Sequence, residues 1–253
     1  MTERTHDWRD EIRAAVIFLT RLPLRFEGVM PDALGRRALR WFPVVGLGIG
    51  LCAAAVFALA AALGLPAGVA AVLAVMAQVW LTGALHEDGL ADTADGFGGG
   101  LAAPRKLEIM RDSRLGTYGG AALFGTLALR ATALAALAPV EASLALMAAG
   151  AVSRGLVPAV AHALPPARPD GLAARQGRPD FDTAALAALI GAAAALPLGF
   201  AALPALLLAA AAALFVAWLA DRQIGGHTGD VLGATQQAAE VAVLLAVAAT
   251  WSA

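Results

Sequence analysis

The sequence of residues 43–63 is PVVGLGIGLCAAAVFALAAAL, and it contains no charged side chain. A helix needs about 20 mostly apolar residues to cross the hydrocarbon core of a bilayer, so this run is long enough to span one. Six further apolar runs follow it, at residues 66–85, 117–138, 142–163, 183–201, 203–220 and 237–252. The sequence therefore predicts an all-α polytopic membrane protein with about seven transmembrane helices.

The composition of the whole chain supports this class. Of its 253 residues, 60% are apolar and 15% are charged, whereas a soluble domain carries about 25% charged residues. A net charge of −1 gives no indication of a nucleic-acid partner. The lone Cys52 excludes a disulfide framework and a cysteine metal site. We expect one membrane-embedded domain over residues 1–253, in which a cytoplasmic segment, 1–42, precedes a transmembrane bundle, 43–253.

The N-terminal segment has the pattern of an amphipathic helix. Its large apolar residues recur at steps of four, four and three, which places them on one helical face: Trp8, Ile12, Val16 and Leu19. We predict a helix over residues 7–20 that lies on the membrane surface. The alternative is an ordinary soluble cap helix.

The basic residues predict how the chain is oriented. If residues 1–42 are cytoplasmic and the spans alternate, sixteen of the 18 Lys and Arg fall in cytoplasmic segments and none in the opposite loops. Short loops rich in Lys and Arg stay inside. The other two, Arg130 and Arg154, lie within predicted spans. We therefore expect the chemistry on the cytoplasmic face and the carboxyl terminus outside.

The densest polar motif, TGALHEDGLADTADG at residues 82–96, begins where the second span ends. Asp88, Asp92 and Asp95 stand at i, i+4 and i+7, so a helix presents them on one face. Their mutual repulsion would be relieved by a hard cation, and Mg²⁺ typically combines one or two carboxylates with substrate phosphates and water. We predict that these aspartates are Mg²⁺ ligands and catalytic residues. The alternative is a solvated helix end.

Three arginines are candidate phosphate ligands. Arg111 and Arg114 are three residues apart before the third span, so both guanidinium groups can face one anion. Flanking positive charge without a ligand is the alternative. Arg154 lies inside the fourth span, where a charge is costly and needs a partner. That partner is a carboxylate of the metal cluster, Glu240, or a substrate phosphate.

A glycine-rich turn, GGHTGD at residues 225–230, precedes the last span. Such a turn at a helix start can present backbone N–H groups to phosphate. Gly226 and Thr228 are therefore candidate phosphate-binding residues, and Asp230 is a candidate catalytic carboxylate. A plain connector is the alternative.

Carboxylates, arginines and glycine turns on one face indicate phosphoryl chemistry, which needs a divalent ion and cations around the phosphates. A membrane transporter with the acids as a cation-coupling site is the competing class. Its carboxylates should lie near the bilayer midplane, whereas these follow the end of a span, which favours an enzyme. A non-catalytic scaffold would leave the carboxylate cluster unexplained.

These motifs resemble those of the cobalamin synthase family, the adenosylcobinamide-GDP ribazoletransferases of vitamin B12 assembly. The longest matching stretches are Leu85–Gly96 without Glu87, and LEIMRDSRLG at residues 107–116. Shorter matches are FLTRLP at 18–23, FPVVG at 42–46, SRG at 153–155, Gly225-Gly226, TGD at 228–230, LGA at 232–234, and Glu240. The resemblance covers nearly the whole chain.

The resemblance implies a specific reaction. A ribose hydroxyl of α-ribazole, or of its 5′-phosphate, attacks the cobinamide-side phosphorus of adenosylcobinamide-GDP. GMP leaves, and adenosylcobalamin or its 5′-phosphate forms. The resemblance also implies Mg²⁺ dependence, a bacterial inner membrane and a lipid-bilayer environment. It leaves open whether the protein is a homo-oligomer.

Overall fold

A computed structural model describes residues 7–26, 31–168, 171 and 177–251. The regular elements of this part are all helices, accompanied by one isolated β-bridge between Pro166 and His227. The predicted all-α class is confirmed. The α-helices are α1 Trp8–Leu19, α2 Asp32–Ala38, α3 Phe42–Ala62, α4 Ala67–Thr82, α5 Leu85–Gly99, α6 Ala103–Ile109, α7 Thr117–Ala135, α8 Pro139–Ala163, α9 Phe181–Ala194, α10 Ala202–Ile224 and α11 Gly229–Trp251. Short 3-10 helices occupy Leu39–Trp41 and Leu196–Ala201.

Each predicted span overlaps at least one helix, but the helices differ in length and polarity. Within the described residues, four continuous segments are long and apolar enough to cross a membrane, and the bent pair of α4 and α5 would make five. The four segments are Asp32–Ala62, Pro139–Ala163, Leu196–Ile224 and Gly229–Trp251. The multi-pass membrane class is confirmed, while the count of seven stays a prediction.

Two predicted span boundaries are wrong. The fifth run, 183–201, is not one helix, because α9 ends at Ala194 and Gly199 then adopts a non-helical backbone at φ 58°. The last helix begins at Gly229 rather than at residue 237. Its polar first turns are buried inside the bundle, so hydropathy alone places the start too late.

The helix predicted over residues 7–20 is confirmed as α1, and the structure shows which of its residues pack against the rest of the protein. Ala14, Ala15 and Leu19 are buried and pack against α2 and α3, whereas Trp8 is 55% exposed. Small residues allow α1 to lie close to its neighbours, which the pattern of large residues does not reveal. The position of α1 on a membrane surface stays a prediction.

Helices α3 and α8 pack with their backbones in close contact. A Cβ atom added at Gly46 would overlap the Gly150 carbonyl oxygen, and one added at Gly50 would overlap that of Leu146. Small residues at such crossings are typical of helices in membranes. The two helices run antiparallel, because Gly46 meets Gly150 whereas Gly50, later in α3, meets Leu146, earlier in α8.

A sharp turn separates α4 from α5, whose axes are bent by 90°. Gly83 and Ala84 both have left-handed backbones, with φ of 66° and 58°. Glycine adopts this conformation at little cost, whereas alanine is strained in it. A Cβ at Gly83 would also overlap the side chain of Arg21. The turn sends α5 across the bundle instead of continuing α4.

Candidate active site

Helix α5 carries the predicted carboxylates on one uninterrupted helix, despite Gly89 and Gly96. Asp88 is exposed, Asp92 is partly buried and Asp95 is buried. Asp230, at the start of α11, reaches the same face because Gly89 lacks a side chain. A Cβ atom at Gly89 would lie 2.9 Å from the Asp230 carbonyl oxygen.

The aspartates form one electrostatic cluster around Asp92. Burial, followed by the charges of Asp88, Asp230 and Asp95, raises the pKa of Asp92 to about 7, while Arg168 acts in the opposite direction. No group of three His, Cys, Asp or Glu side chains in the described part of the chain is arranged to hold a metal ion. The cluster therefore offers oxygen ligands without a complete protein cage.

Asp95 forms two hydrogen bonds with the start of α7. Its Oδ2 accepts a hydrogen bond of 2.7 Å from the Gly116 N–H, and its Oδ1 accepts one of 2.8 Å from the Gly119 N–H. A carboxylate stabilises the N-terminus of a helix in this way, here that of α7. Both glycines lie close to Asp95, because a Cβ atom added at either would overlap its carboxylate oxygens. Asp95 thus caps α7, and its predicted role as a metal ligand stays a prediction.

The predicted phosphate-binding turn is fixed to the segment that follows α8. The His227 N–H donates to the Pro165 carbonyl at 2.8 Å, and the Ala167 N–H donates to the His227 carbonyl at the same distance. A Cβ at Gly226 would overlap the Pro165 carbonyl oxygen. Gly226 is therefore required by packing in this structure, whereas its predicted contact with phosphate stays a prediction.

Thr228 orients Asp230. Its hydroxyl accepts a hydrogen bond from the Val231 N–H at 3.3 Å, which caps α11, and donates to Asp230 Oδ2 at 3.1 Å. Thr228 itself is buried. The side chain predicted to bind phosphate thus holds a carboxylate of the site.

Arg168 also lies beside this carboxylate, although it was not among the predicted site residues. Its Nη2 is 3.8 Å from Asp230 Oδ2 and donates a hydrogen bond of 2.9 Å to the Leu107 carbonyl. In the sequence Arg168 was one of sixteen predicted cytoplasmic Lys and Arg residues, and no local motif distinguishes it.

Arg111 and Arg114 lie on the exposed loop between α6 and α7. Arg114 Nε donates to Asp112 Oδ1 at 3.0 Å, and this ion pair lowers the pKa of Asp112 to about 2. Arg114 therefore binds a neighbouring carboxylate rather than those of α5. The phosphate contacts predicted for both arginines stay predictions.

A buried polar network connects α5 to the interior of the bundle. Arg130 Nη1 is 3.0 Å from Glu87 Oε1, and its Nη2 is 2.9 Å from Glu240 Oε1 and 2.6 Å from Gln78 Oε1. Gln237 donates to the same Glu87 oxygen at 3.1 Å. Glu87 is thus a buried partner of Arg130.

Arg154 belongs to the same network. Its Nη1 is 3.4 Å from Glu240 Oε2 and donates to the Gly150 carbonyl at 3.1 Å, and its side chain is 2% exposed. Of the partners that the sequence left open, the structure shows Glu240. The guanidinium is enclosed by protein, and the predicted role of Arg154 as a phosphate ligand stays a prediction.

Next to the carboxylates, the described residues enclose a cavity of about 290 Å³. Its polar side is lined by Asp88, Asp230, Arg168, His227 and Thr228. The polar side of the cavity lies where α5, the start of α11 and the segment after α8 meet. This arrangement places acceptors and one cation around a space that a small molecule can enter.

The sequence matches one family over almost its full length, since the family model described as cobalamin-5-phosphate synthase covers residues 11–248. The chain belongs to the cobalamin-5-phosphate synthase family. The matched region contains every residue of the candidate site, and the resemblance stated from the motifs is confirmed.

Individual members of the cobalamin-5-phosphate synthase family agree closely with this chain. The adenosylcobinamide-GDP ribazoletransferase of Bradyrhizobium diazoefficiens is 48% identical over 251 residues, which is 98% of this chain and 96% of that protein. The enzyme of the same name from Mesorhizobium japonicum is 49% identical, over 93% of this chain and 92% of that protein. No solved structure matches the chain. The comparisons give no support to the transporter alternative.

Proposed function

We propose that this protein transfers the cobinamide-phosphate group of adenosylcobinamide-GDP to α-ribazole, or to its 5′-phosphate, and releases GMP. Near-full-length similarity to enzymes of that name supports the activity. The observation that carries the proposal is the convergence of Asp88, Asp92 and Asp230 beside Arg168 at one end of the bundle. Phosphoryl transfer needs this combination of oxygen ligands and cationic groups.

We assign separate roles to Asp230 and Arg168. A ribose hydroxyl oxygen forms the new bond to phosphorus, and the bond from that phosphorus to the GMP oxygen breaks. The hydroxyl proton passes to Asp230, whose Oδ2 is held by Thr228 and which lines the cavity. Arg168 offsets the negative charge that develops on the phosphate oxygens.

The donor set fits Mg²⁺. Asp88 and Asp92 supply hard oxygen ligands four residues apart on α5, and their repulsion contributes to the raised pKa of Asp92. Two protein carboxylates are a usual number for this ion, which takes its other ligands from substrate and water. When bound, Mg²⁺ supplies positive charge next to the diphosphate. We assign Asp88 and Asp92 to this site and leave Asp95 as the cap of α7.

One assay tests the activity. Purified protein in detergent is incubated with adenosylcobinamide-GDP, α-ribazole and Mg²⁺, and GMP and the corrinoid product are separated and quantified. We expect Asp230→Asn to lower turnover by about 10²-fold or more, as the loss of a general base does. Glu108→Gln, an exposed carboxylate paired with Arg105, should have little effect. Absence of GMP with the wild-type protein would contradict the proposed function.

We further propose that the site faces the cytoplasm of a bacterial inner membrane. The sixteen basic residues on that side support this orientation. With Cys52 replaced by Ala, single cysteines at Leu101 and Val140 would lie on opposite sides, and both positions are exposed. An impermeant thiol reagent added to intact cells should label Val140→Cys and not Leu101→Cys. The reverse pattern would invert the topology.

A further inference from the structure

The cavity beside Asp230 has one strongly apolar side. This wall comes from α1, α3, α5, α8, α11 and the 3-10 helix before α3, and its residues are Phe18, Leu39, Phe42, Leu85, Val157 and Leu232. The rings of Phe18 and Phe42 stack with centroids 5.6 Å apart. An aliphatic and aromatic wall of this kind binds a flat apolar group.

The polar side of the cavity is the proposed reaction site. Asp88 and Asp230 line the same space as the apolar wall. A ligand that places an apolar part against Phe18 therefore presents its other end to these carboxylates. Such a ligand must be amphipathic, with a flat apolar part joined to a part that carries hydroxyl groups.

Size and polarity distinguish the groups that the proposed reaction brings to this site. A cavity of about 290 Å³ is close to the lower end of the range for small-molecule sites, about 300 Å³, so it holds a nucleoside but not a corrinoid. Guanine carries hydrogen-bonding groups around its edges, and an apolar wall would leave them without partners. The base of α-ribazole is a methylated benzimidazole, which is flat and largely apolar.

We propose that this cavity binds the acceptor, with the benzimidazole base of α-ribazole against Phe18, Phe42 and Val157 and the ribose towards Asp88 and Asp230. This inference rests on the proposed function, because that function supplies the two substrates. The corrinoid then remains outside the cavity, and its phosphate meets the ribose hydroxyl at the rim.

Phe18→Ala tests the assignment, and Phe124→Ala on α7 is the matched control because Phe124 is 77% exposed and lies outside the cavity. The KM values for both substrates are measured from GMP release with the purified full-length protein. We expect Phe18→Ala to raise the KM for α-ribazole about tenfold. The KM for adenosylcobinamide-GDP should stay within about twofold, and Phe124→Ala should change neither.

Two further measurements keep the inference testable. Phe18→Leu retains the packing of α1, and it should raise the same KM by a smaller factor if Phe18→Ala does not fold. Equilibrium dialysis of α-ribazole alone should show weaker binding to both Phe18 variants than to wild type and Phe124→Ala. Equal binding to all four proteins, or a rise only in the KM for adenosylcobinamide-GDP, would overturn the inference. The dialysis needs no turnover, so it separates this failure from a failure of the proposed function.

Discussion

At the scale of single residues, Asp92 is the carboxylate whose charge state the surroundings change most clearly. Its pKa is raised from 3.8 to about 7, mainly by burial and then by Asp88. The folded protein therefore holds this proton more tightly than the unfolded chain does between these two pH values. Stability is lost as the pH rises through this window, because the folded state must then accommodate the buried charge.

The resulting prediction concerns Asp92→Asn, which removes the titration. Without divalent cations, the melting temperature of the variant should exceed that of wild type at pH 8, and the difference should shrink towards pH 4. Thermal unfolding in detergent across this range measures it, with Glu108→Gln as the control for an exposed carboxylate. A difference between Asp92→Asn and wild type that does not vary with pH would show that Asp92 does not titrate in this range.

Asp95 should behave differently from Asp92. Asp95→Asn keeps one acceptor oxygen but turns an amide donor towards a backbone N–H of α7, so we expect a loss of about 1–2 kcal/mol of stability. The activity of Asp95→Asn should depend on Mg²⁺ concentration as that of wild type does, whereas Asp92→Asn should need more Mg²⁺ for half-maximal activity. Titration of activity with Mg²⁺ distinguishes the two roles, and a shifted curve for Asp95→Asn would return it to the metal site.

At the scale of helices, the crossing of α3 and α8 depends on the absence of side chains. Gly46→Ala would force a Cβ into the backbone of α8, and overpacking of this kind costs about 1–3 kcal/mol. Gly48→Ala lies on the same helix with nothing near its Cβ, so it should be neutral or raise stability slightly. Melting temperatures of the two variants measure the difference. Equal melting temperatures would mean that the helices can separate without cost.

The sequence predicted that the chain is helical, but it did not predict how all of the helices begin and turn. Length and apolar content were enough to predict a multi-pass helical membrane protein, because a membrane accepts few alternatives to a long apolar helix. The 90° turn at Gly83 and Ala84 was not predictable in this way, since one of its two left-handed residues is an alanine. The extra turns at the start of α11 were missed because they contain polar side chains that are buried inside the bundle, such as Thr235 and Gln236.

The candidate site was predicted in part. Helical spacing correctly placed Asp88, Asp92 and Asp95 on one helix, but spacing cannot show which group each side chain meets. The contact between Asp95 and the start of α7 depends on tertiary packing, as does the approach of Arg168 to Asp230. Both are contacts between residues far apart in the chain, for which the local sequence carries no signal.

At the scale of the whole molecule, the buried network balances two arginines against two glutamates. Arg154→Gln would leave Glu240 with one arginine less, and breaking a buried ion pair costs about 3–5 kcal/mol. We expect this variant to lose thermal stability and activity together, with an unchanged KM for adenosylcobinamide-GDP in the fraction that folds. Arg154→Lys should be affected less. A stable Arg154→Lys protein with a raised KM for that substrate would instead support the phosphate-binding role.

The pairing of Arg154 with Glu240 also has a consequence for how the chain is made. The ribosome delivers α8 well before α11, so Arg154 reaches the membrane before the carboxylate that it contacts has been synthesised. Arg130 follows Glu87 and Gln78 in the chain and can meet them as soon as it emerges. A lone arginine is costly inside a bilayer, so we expect the last helix to stabilise α8 when it arrives. We expect a chain truncated before Glu240 to be less stable in the membrane than the full-length protein.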